Sequence, residues 1–146
     1  MRIAVISDTH DEMPRRLPSK LRSADEIWHL GDVVERHLLA GLEALDIPLR
    51  VILGNCDYNP AWPETLTLEP EGVRCHLIHI PPRKAPAGIQ LLLHGHTHMP
   101  RDYTDAHGVR WLNPGSVSSP RGGFPASFAW LEVSKGQVLG WTLAKP

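Results

Sequence analysis

Three short apolar segments in the first third of the chain, each ended by a polar turn, constrain the fold most strongly. They are Arg2–Ser7, Glu26–Leu30 and Leu49–Leu53, and each has the length and composition of a buried strand. The segments between them are predicted to be helical. Strands that alternate with helices favour a parallel sheet with right-handed crossovers.

Two helices are predicted between these strands. Val33–Leu45 is the clearer one, because its apolar residues recur at the spacing of one helix face. Those residues are Val34, Leu38, Leu42 and Leu45. Pro14–Ser23 predicts a shorter helix, weakened by Pro18.

The remainder of the chain is predicted to be rich in strands, with short Gly, Pro and Asp turns between most of them. The predicted strands are Leu66–Leu68, Val73–Ile80, Ile89–His94, Val109–Leu112, Ser127–Val133 and Val138–Leu143. There is little room for helix between these strands. The change from alternating elements to strands alone predicts a second sheet packed on the first.

Length and composition limit the class of protein. A chain of 146 residues predicts a single domain over residues 1–146. A hydrophobic content of 42% excludes a disordered chain, and no apolar run approaches the roughly 20 residues of a membrane span. The net charge of −1 gives no general footprint for nucleic acid or anionic lipid. Two cysteines and the absence of a signal-peptide pattern favour a cytoplasmic location.

Polar side chains follow most of the predicted strands where each strand ends. In open α/β sheets, ligands bind at the carboxyl ends of strands. Carboxylate, amide and imidazole groups collected there are typical of a transition-metal site, and their number suits a pair of metals better than one zinc ion. The side chains are Asp8, His10, Asp32, Asn55, Asp57, His79, His96 and His98.

Each of these residues also has a simpler interpretation. Asp8 and Asp32 could be helix N-caps, and Asn55 could be an ordinary turn residue. A single strand histidine such as His79 is more often structural than metal-bound. The segment Gly95–His98 is more specific, because His96 and His98 are two residues apart and can point the same way. The ordered recurrence of such residues after strands favours a metal site.

Taken in order, these segments resemble the motifs of the calcineurin-like metallophosphoesterases, and most closely those of their small prokaryotic phosphodiesterase branch. The resemblance extends from residue 3 to about residue 133. The motifs are Asp8-Thr9-His10, Gly31-Asp32, Gly54-Asn55-Cys56-Asp57, His79, Gly95-His96-Thr97-His98 and Asn113-Pro114-Gly115-Ser116.

The resemblance implies an α/β fold: a four-layer αββα sandwich of two mixed sheets, here with few and short helices. It also implies two divalent transition-metal ions at one edge of the sandwich. Mn is the preferred metal, and the same ligands would also bind Fe, Ni, Co or Zn. Asp8, His10, Asp32 and His98 would bind the first metal. The second would be bound by Asp32, which bridges the two, and by Asn55, His79 and His96.

The implied activity is hydrolysis of phosphate esters, phosphodiesters in preference to phosphomonoesters, by a metal-bridging hydroxide that attacks phosphorus in line. Asp32 and Asn55 are the catalytic candidates, and the partner would be a small-molecule phosphate ester. The alternative is a non-catalytic interaction scaffold on the same fold, as in the sorting-complex subunit that this family contains. All seven ligand positions carry a suitable residue, which favours the enzyme.

Two departures from the family pattern affect the activity. Cys56 stands where many relatives have a histidine near the leaving group, which favours substrates with good leaving groups. After His79, Ile80–Pro86 contains three prolines and predicts a short loop that leaves the metal edge open. Arg83 and Arg121 are candidate substrate contacts, although a solvated basic turn is the more common role for a residue placed as Arg83 is.

The remaining histidines and loops receive weaker predictions. His29 and His94 lie beside the motifs and could orient the ligands. The segment Asn113–Ser116 could line the site or form an ordinary turn. The apolar edge that bears tryptophans would suit a homo-oligomer. His37, His76 and His107 fit no pattern, and the physiological substrate does not follow from the motifs.

Overall fold

The computed structural model describes residues 1–10 and 12–146 and forms two five-stranded sheets. The strands are β1 (Arg2–Ile6), β2 (Glu26–His29), β3 (Leu49–Val51), β4 (Thr65–Leu68), β5 (Cys75–Ile78), β6 (Leu91–Leu93), β7 (Arg101–Thr104), β8 (Arg110–Asn113), β9 (Phe128–Ser134) and β10 (Gln137–Ala144). Every predicted strand is present, within a few residues of its predicted ends.

The first sheet has the strand order β10-β9-β1-β2-β3. β1, β2 and β3 are parallel, as predicted, while β9 and β10 add an antiparallel extension beside β1. Ile3–Ile6 of β1 are buried, which explains why this strand is apolar on both faces. The parallel arrangement brings the carboxyl ends of β1, β2 and β3 to one edge.

The second sheet has the order β4-β5-β6-β8-β7 and is also mixed. β5, β6 and β8 are parallel, and the edge strands β4 and β7 are antiparallel to their neighbours. β7 was not predicted, because all four of its residues are exposed and carry no apolar alternation. Pairing with β8 and the contact of Arg110 Nε with Asp102 Oδ1 at 2.7 Å hold this strand in place.

Three apolar clusters lie on the faces of the two sheets. The main core lies between the sheets and includes Trp28, Leu77 and Leu112. A second core packs the outer face of the first sheet against the helical segments. A smaller cluster around Leu92 and Trp111 covers the outer face of the second sheet. The predicted sandwich of two mixed sheets with few and short helices is confirmed.

The prediction of one helix over Val33–Leu45 is wrong at its start. A 3-10 turn spans Arg36–Leu39, and α2 spans only Ala40–Glu43. Val34 has a φ of +66°, which an α-helix does not allow. Of the predicted face, Leu42 is buried and Leu45 packs against the same core. The other buried residues of the segment are Val33 and Leu39, so the predicted face is wrong at Val34 and Leu38.

The Pro14–Ser23 prediction is confirmed in part. α1 spans Leu17–Lys20 and a 3-10 turn follows at Leu21–Ser23. Pro18 lies in the first turn of α1, where its missing N–H would have no helical partner. This proline therefore suits the helix start and does not weaken it. Among the described residues, no helix has the length and apolar character needed to cross a bilayer.

Leu77→Ala should destabilise the chain by about 2–5 kcal/mol, because Leu77 is fully buried between the two sheets and its truncation leaves a cavity. Urea unfolding followed by circular dichroism measures the change. The matched control is Leu139→Ala at a side chain that is 64% exposed, which should change the free energy of unfolding by less than about 0.5 kcal/mol. Equal effects of the two substitutions would contradict this placement of the core.

Candidate metal centre

The seven predicted ligand residues lie on loops at the carboxyl ends of strands from both sheets. Asp8 and His10 follow β1, Asp32 follows β2 and Asn55 follows β3. From the second sheet, His79 follows β5, and His96 and His98 follow β6. Because these ends meet at one edge of the sandwich, side chains far apart in sequence become neighbours.

Four of these side chains form a compact group of ligand atoms. Donor atoms of the four lie within 4.8 Å of one another. His98 Nε2 is 3.4 Å from Asp8 Oδ1 and 3.1 Å from His10 Nε2. His10 Nε2 is 3.8 Å from Asp32 Oδ2. The group is the same set that the family resemblance implies for the first metal: Asp8, His10, Asp32 and His98.

The other three side chains join this group through Asp32. His79 Nε2 lies 3.3 Å from Asp32 Oδ2 and 3.1 Å from Asn55 Oδ1. His96 Nδ1 lies 2.8 Å from the same Asn55 oxygen. All seven side chains therefore form one connected cluster, and Asp32 is the carboxylate that lies between its two halves.

The protonation states of the histidines suit this cluster to a cation. His79 Nδ1 donates to the Leu30 carbonyl at 2.7 Å, so in the neutral ring Nε2 carries a lone pair. That lone pair faces oxygens of Asp32 and Asn55. His98 Nδ1 likewise donates to the Ser119 carbonyl, and its Nε2 faces Asp8. Acceptors that face acceptors repel unless positive charge lies between them, as a proton or as a metal ion.

The electrostatics of the two carboxylates differ. For Asp32, burial acts to raise the pKa, but a hydrogen bond from His79 in its protonated form and another from the Cys56 backbone N–H outweigh it and lower the pKa. Burial raises the pKa of Asp8, opposed by a hydrogen bond from Ser7. The pKa of His79 is raised by Asp32 and by the Leu30 carbonyl, against its burial. Asp32 is thus the fixed negative charge of the cluster.

The backbone of the ligand loops is strained. Five of the seven ligand candidates have φ between 46° and 67°, a region that few non-glycine residues occupy. Each such residue costs about 1–3 kcal/mol, and such strain concentrates at functional sites. The strain therefore indicates that these loops serve to position the side chains of the cluster. The five are Asp8, His10, Asp32, His96 and His98.

Asp57 holds two of these loops together and is not part of the cluster. Its Oδ2 accepts the backbone N–H groups of Asp32 and Gly54, both at 2.8 Å. Its Oδ1 accepts those of Val33 and Val34 at 2.8 and 2.7 Å. These four bonds stabilise Val34 in its left-handed conformation. Asp57 is therefore a positioning residue for Asp32.

Glycines before the ligand candidates allow the loops to approach closely. A Cβ at Gly54 would lie 2.1 Å from Asp32 Oδ1, and one at Gly95 would lie 2.1 Å from Ser7 Oγ. No side chain fits at either position without moving a loop. This is the physical reason for the glycine in the motifs Gly54-Asn55 and Gly95-His96.

The segment Asn113–Ser116 supports the ligand loops from the second sheet. Asn113 is fully buried, and its Nδ2 donates to the Gly95 carbonyl at 2.9 Å. Ser116 Oγ donates to the Asp8 carbonyl at 2.7 Å. Ser118, which the sequence analysis missed, donates to the Thr9 carbonyl at 2.7 Å. The segment is more than an ordinary turn, because it ties together loops from both sheets.

His29 and His94 lie behind the cluster. The Gly31 N–H donates to His29 Nδ1 at 3.2 Å, so His29 Nε2 carries the hydrogen and donates to Thr9 Oγ1 at 2.7 Å. Both histidines are fully buried, and burial lowers the pKa of each to about 4. The side-chain amide nitrogen Nδ2 of Asn113 lies 3.2 Å from His94 Nδ1.

The structure also answers the simpler interpretations. None of the described helices has a side-chain N-cap hydrogen bond, so neither Asp8 nor Asp32 is such a cap. Asn55 Nδ2 donates to Cys56 Sγ at 3.3 Å, which turns the amide oxygen toward His79 and His96. Cys56 is partly exposed, and burial together with the charge of Asp32 raises the pKa of its thiol.

The remaining predicted residues lie outside the cluster. Arg121 is exposed, and its backbone N–H donates to the His98 carbonyl at 3.3 Å, which places it next to the cluster. Arg83 is exposed on the loop that follows Ile80. His37 faces Glu35, His76 lies against Thr67, and His107 lies in a surface turn.

Such a fold and cluster define a class: an α/β sandwich whose sheet edges gather carboxylate and imidazole groups suited to divalent metals. A family model for the calcineurin-like phosphoesterase superfamily domain matches residues 1–136. The chain belongs to the calcineurin-like phosphoesterase superfamily.

Two curated relatives agree with this family. A Methanocaldococcus jannaschii protein named "probable metallophosphoesterase" is 33% identical over 138 residues, which cover 83% of this chain and 70% of that protein. Phosphodiesterase YfcE of Escherichia coli K12 is 29% identical over 166 residues, covering 90% of this chain and 88% of that protein.

Solved structures share the fold. The E. coli phosphoesterase Yfce has a TM-score of 0.79 at 24% identity, covering 97% of this chain and 98% of that one. Entamoeba histolytica Vps29 complexed with Zn²⁺ has a TM-score of 0.79 at 20% identity, covering 99% of this chain and 98% of that one. At these identities the likeness concerns the fold alone.

Asp57→Asn should lower the free energy of unfolding by about 3 kcal/mol, because the amide turns an NH₂ group toward backbone donors that are largely buried. Metal affinity should fall at least about tenfold, since the Asp32 loop loses its support. Calorimetric titration with Mn²⁺ and urea unfolding measure the two changes.

The matched control is Asp105→Asn, because Asp105 also accepts backbone N–H groups, from His107 and Val109, but in a surface turn. It should leave Mn²⁺ affinity unchanged. Unchanged affinity in Asp57→Asn would contradict a positioning role for this carboxylate.

Stability should depend on the protonation of His29. Its pKa is about 4 in the folded chain and 6.5 in the unfolded chain, so between these values the unfolded chain binds the extra proton. This contribution to stability is complete above pH 6.5 and is lost as the pH falls to 4. Relative to His29→Gln, the wild type should lose about 3 kcal/mol over that range.

Urea unfolding of the metal-free proteins at several pH values measures this difference. His107→Gln, at an exposed histidine, serves as the control and should run parallel to the wild type. Parallel curves for the wild type and His29→Gln would show that His29 titrates normally in the fold.

Proposed function

We propose that this chain is a metal-dependent phosphoesterase that hydrolyses phosphodiesters in preference to phosphomonoesters, in one domain over residues 1–146. The single observation that carries the proposal is the cluster of seven donor side chains with Asp32 at its centre. Membership of the calcineurin-like phosphoesterase superfamily supports phosphoesterase activity, and the name of the E. coli relative supports the preference for phosphodiesters. The substrate class is small-molecule phosphate esters.

The seven side chains would hold two divalent cations. Asp8, His10 and His98 surround one position, Asn55, His79 and His96 surround the other, and Asp32 would bridge them because its carboxylate has two oxygens. When bound, two such cations would lower the pKa of a water molecule and shield the phosphoryl oxygens, which is the chemistry that in-line hydrolysis at phosphorus requires. Mn²⁺ is the first metal to test, and Fe, Ni, Co and Zn also suit these ligands.

The residues themselves arrange and hold the site. The Leu30 and Ser119 carbonyls keep the hydrogens of His79 and His98 on Nδ1, so that both Nε2 lone pairs point into the cluster. Asn55 presents its oxygen because its NH₂ group is bound to Cys56 Sγ. Burial and the charge of Asp32 raise the pKa of the Cys56 thiol, which disfavours the reactive thiolate. Water is the proposed nucleophile.

The leaving group receives no help from residue 56. A thiol with a raised pKa is a poor general acid for a leaving alkoxide, so esters of acidic alcohols such as nitrophenol should react best. Arg121, beside His98, and Arg83, on the loop after Ile80, are the cationic side chains proposed to contact the substrate phosphate.

The alternative function is a non-catalytic interaction scaffold, which the shared fold with Vps29 brings into consideration. The arrangement of the cluster argues against it. A scaffold has no need for five strained ligand residues or for histidines oriented by buried carbonyl groups. A separate proposal is that the chain forms a homo-oligomer and acts in the cytoplasm. Analytical sedimentation tests the oligomeric state, and a localisation experiment tests the location.

Asp32→Ala and His98→Ala should each lower phosphodiesterase activity at least about 100-fold, because each removes a residue proposed to hold metal. Purified proteins are loaded with Mn²⁺, their bound metal is measured by mass spectrometry, and hydrolysis of bis(p-nitrophenyl) phosphate is followed by absorbance. His107→Ala, at an exposed histidine outside the cluster, should behave as the wild type. Bound metal should fall in Asp32→Ala and His98→Ala alone.

Two results would overturn the proposal. The first is equal activity in the wild type and both cluster variants. The second is a wild type that neither binds nor is activated by any of the five metals, which would favour the scaffold. Faster hydrolysis of p-nitrophenyl phosphate than of the diester would overturn only the proposed preference for diesters and leave the phosphoesterase proposal standing.

A further inference from the structure

A cleft of about 380 Å³ opens beside the second half of the cluster. It begins at Asn55 and His79, which belong to the cluster, and extends away from them. This volume lies within the range of small-molecule sites, roughly 300–1,000 Å³. The remaining walls, which define what we name the Ile80 cleft, include Leu53, Glu64, Thr65, Ile78 and Ile80.

The apolar wall of the Ile80 cleft is exposed because of the local sequence. Ile80 is 49% exposed although it is a large apolar side chain next to a buried histidine. Pro81 and Pro82 follow it, and the described chain runs from there to β6 without a helix. An apolar side chain held at the rim of a polar site suits a ligand that presents an apolar face.

The polar wall of the Ile80 cleft accepts hydrogen bonds. Glu64 is exposed and has no ion-pair or hydrogen-bond partner among the residues that the structure describes. An ionised carboxylate only accepts, so it favours hydroxyl or amine donors and repels a second phosphate. The Thr65 hydroxyl adds a group that both donates and accepts.

We propose that the Ile80 cleft binds one organic arm of the phosphodiester, an uncharged ring system that carries hydroxyl groups, such as a ribonucleoside. The inference rests on the proposed function, since the phosphate at the cluster would place that arm at Asn55 and His79. The sugar hydroxyls would donate to Glu64, and the ring faces would pack on Ile80 and Leu53. The other arm is the leaving group.

Three p-nitrophenyl phosphodiesters test this assignment, because they share a leaving group and differ only in the second arm: methyl, uridine 5′ and 2′,3′-dideoxyuridine 5′. The wild type should prefer the uridine ester to the methyl ester by about tenfold or more in kcat/KM. Glu64→Gln should lower the preference for uridine over dideoxyuridine about tenfold. Ile80→Ala should lower the preference of both nucleoside esters over the methyl ester about fivefold.

The controls are Glu69→Gln and Leu139→Ala, an exposed carboxylate and an exposed apolar side chain outside the Ile80 cleft. They should leave all three ratios unchanged. Equal ratios for the wild type and the Glu64 and Ile80 variants would overturn the assignment, as would equal effects of the controls.

A binding measurement separates this assignment from the proposed function. Uridine is titrated into the ¹⁵N-labelled wild type, and the amide signals of Thr65 and Ile80 are followed by NMR. Saturable shifts there, with a Kd that Ile80→Ala raises about fivefold, support the cleft even if no ester is hydrolysed, in which case only the phosphodiesterase proposal fails. No shift at either amide would overturn the cleft assignment even if the methyl ester is hydrolysed.

Discussion

The buried carboxylate of Asp57 is the interaction on which the site most depends. It binds four backbone N–H groups, from Gly54 in its own loop and from the Asp32–Val34 segment of the neighbouring loop. Without the Asp57 carboxylate oxygens, these four backbone N–H groups would have few other hydrogen-bond acceptors in this largely buried position. The left-handed φ of Val34, whose N–H binds Asp57, accounts for the absence of a helix at Val33, because a right-handed α-helix does not allow a positive φ. One carboxylate thus determines the position of Asp32 and the start of the following helix.

The second sheet contributes the other half of the support. Asn113 and Ser116 lie at the end of β8 and bind the carbonyl groups of Gly95 and Asp8, which belong to loops of different sheets. The two sheets are therefore joined at the site by hydrogen bonds, in addition to the apolar core that lies between them. This rigid support explains how five ligand candidates can keep unfavourable backbone conformations. It also leaves the rim beyond His79 free for a short proline-rich loop and an open cleft.

Much of the fold follows from local patterns. The strands were predictable because branched apolar residues form short runs ended by turns, and the strand-end positions of the polar residues predicted the candidate site. The errors have identifiable causes. The helix over Val33–Leu45 was overextended because apolar spacing carries no information about the hydrogen bonds of Asp57. β7 was missed because an exposed edge strand needs no apolar face.

The sequence by itself determined the order of the strands along the chain, the chemical types of the seven candidate ligands and the glycines that precede several of them. Those properties are local, since residue type and short-range periodicity suffice to state them. Only the tertiary structure decided that Asp57 supports the site and that a cleft with Glu64 on its wall adjoins it. Those properties depend on which loops meet at the sheet edges, and that follows from packing two sheets around one core.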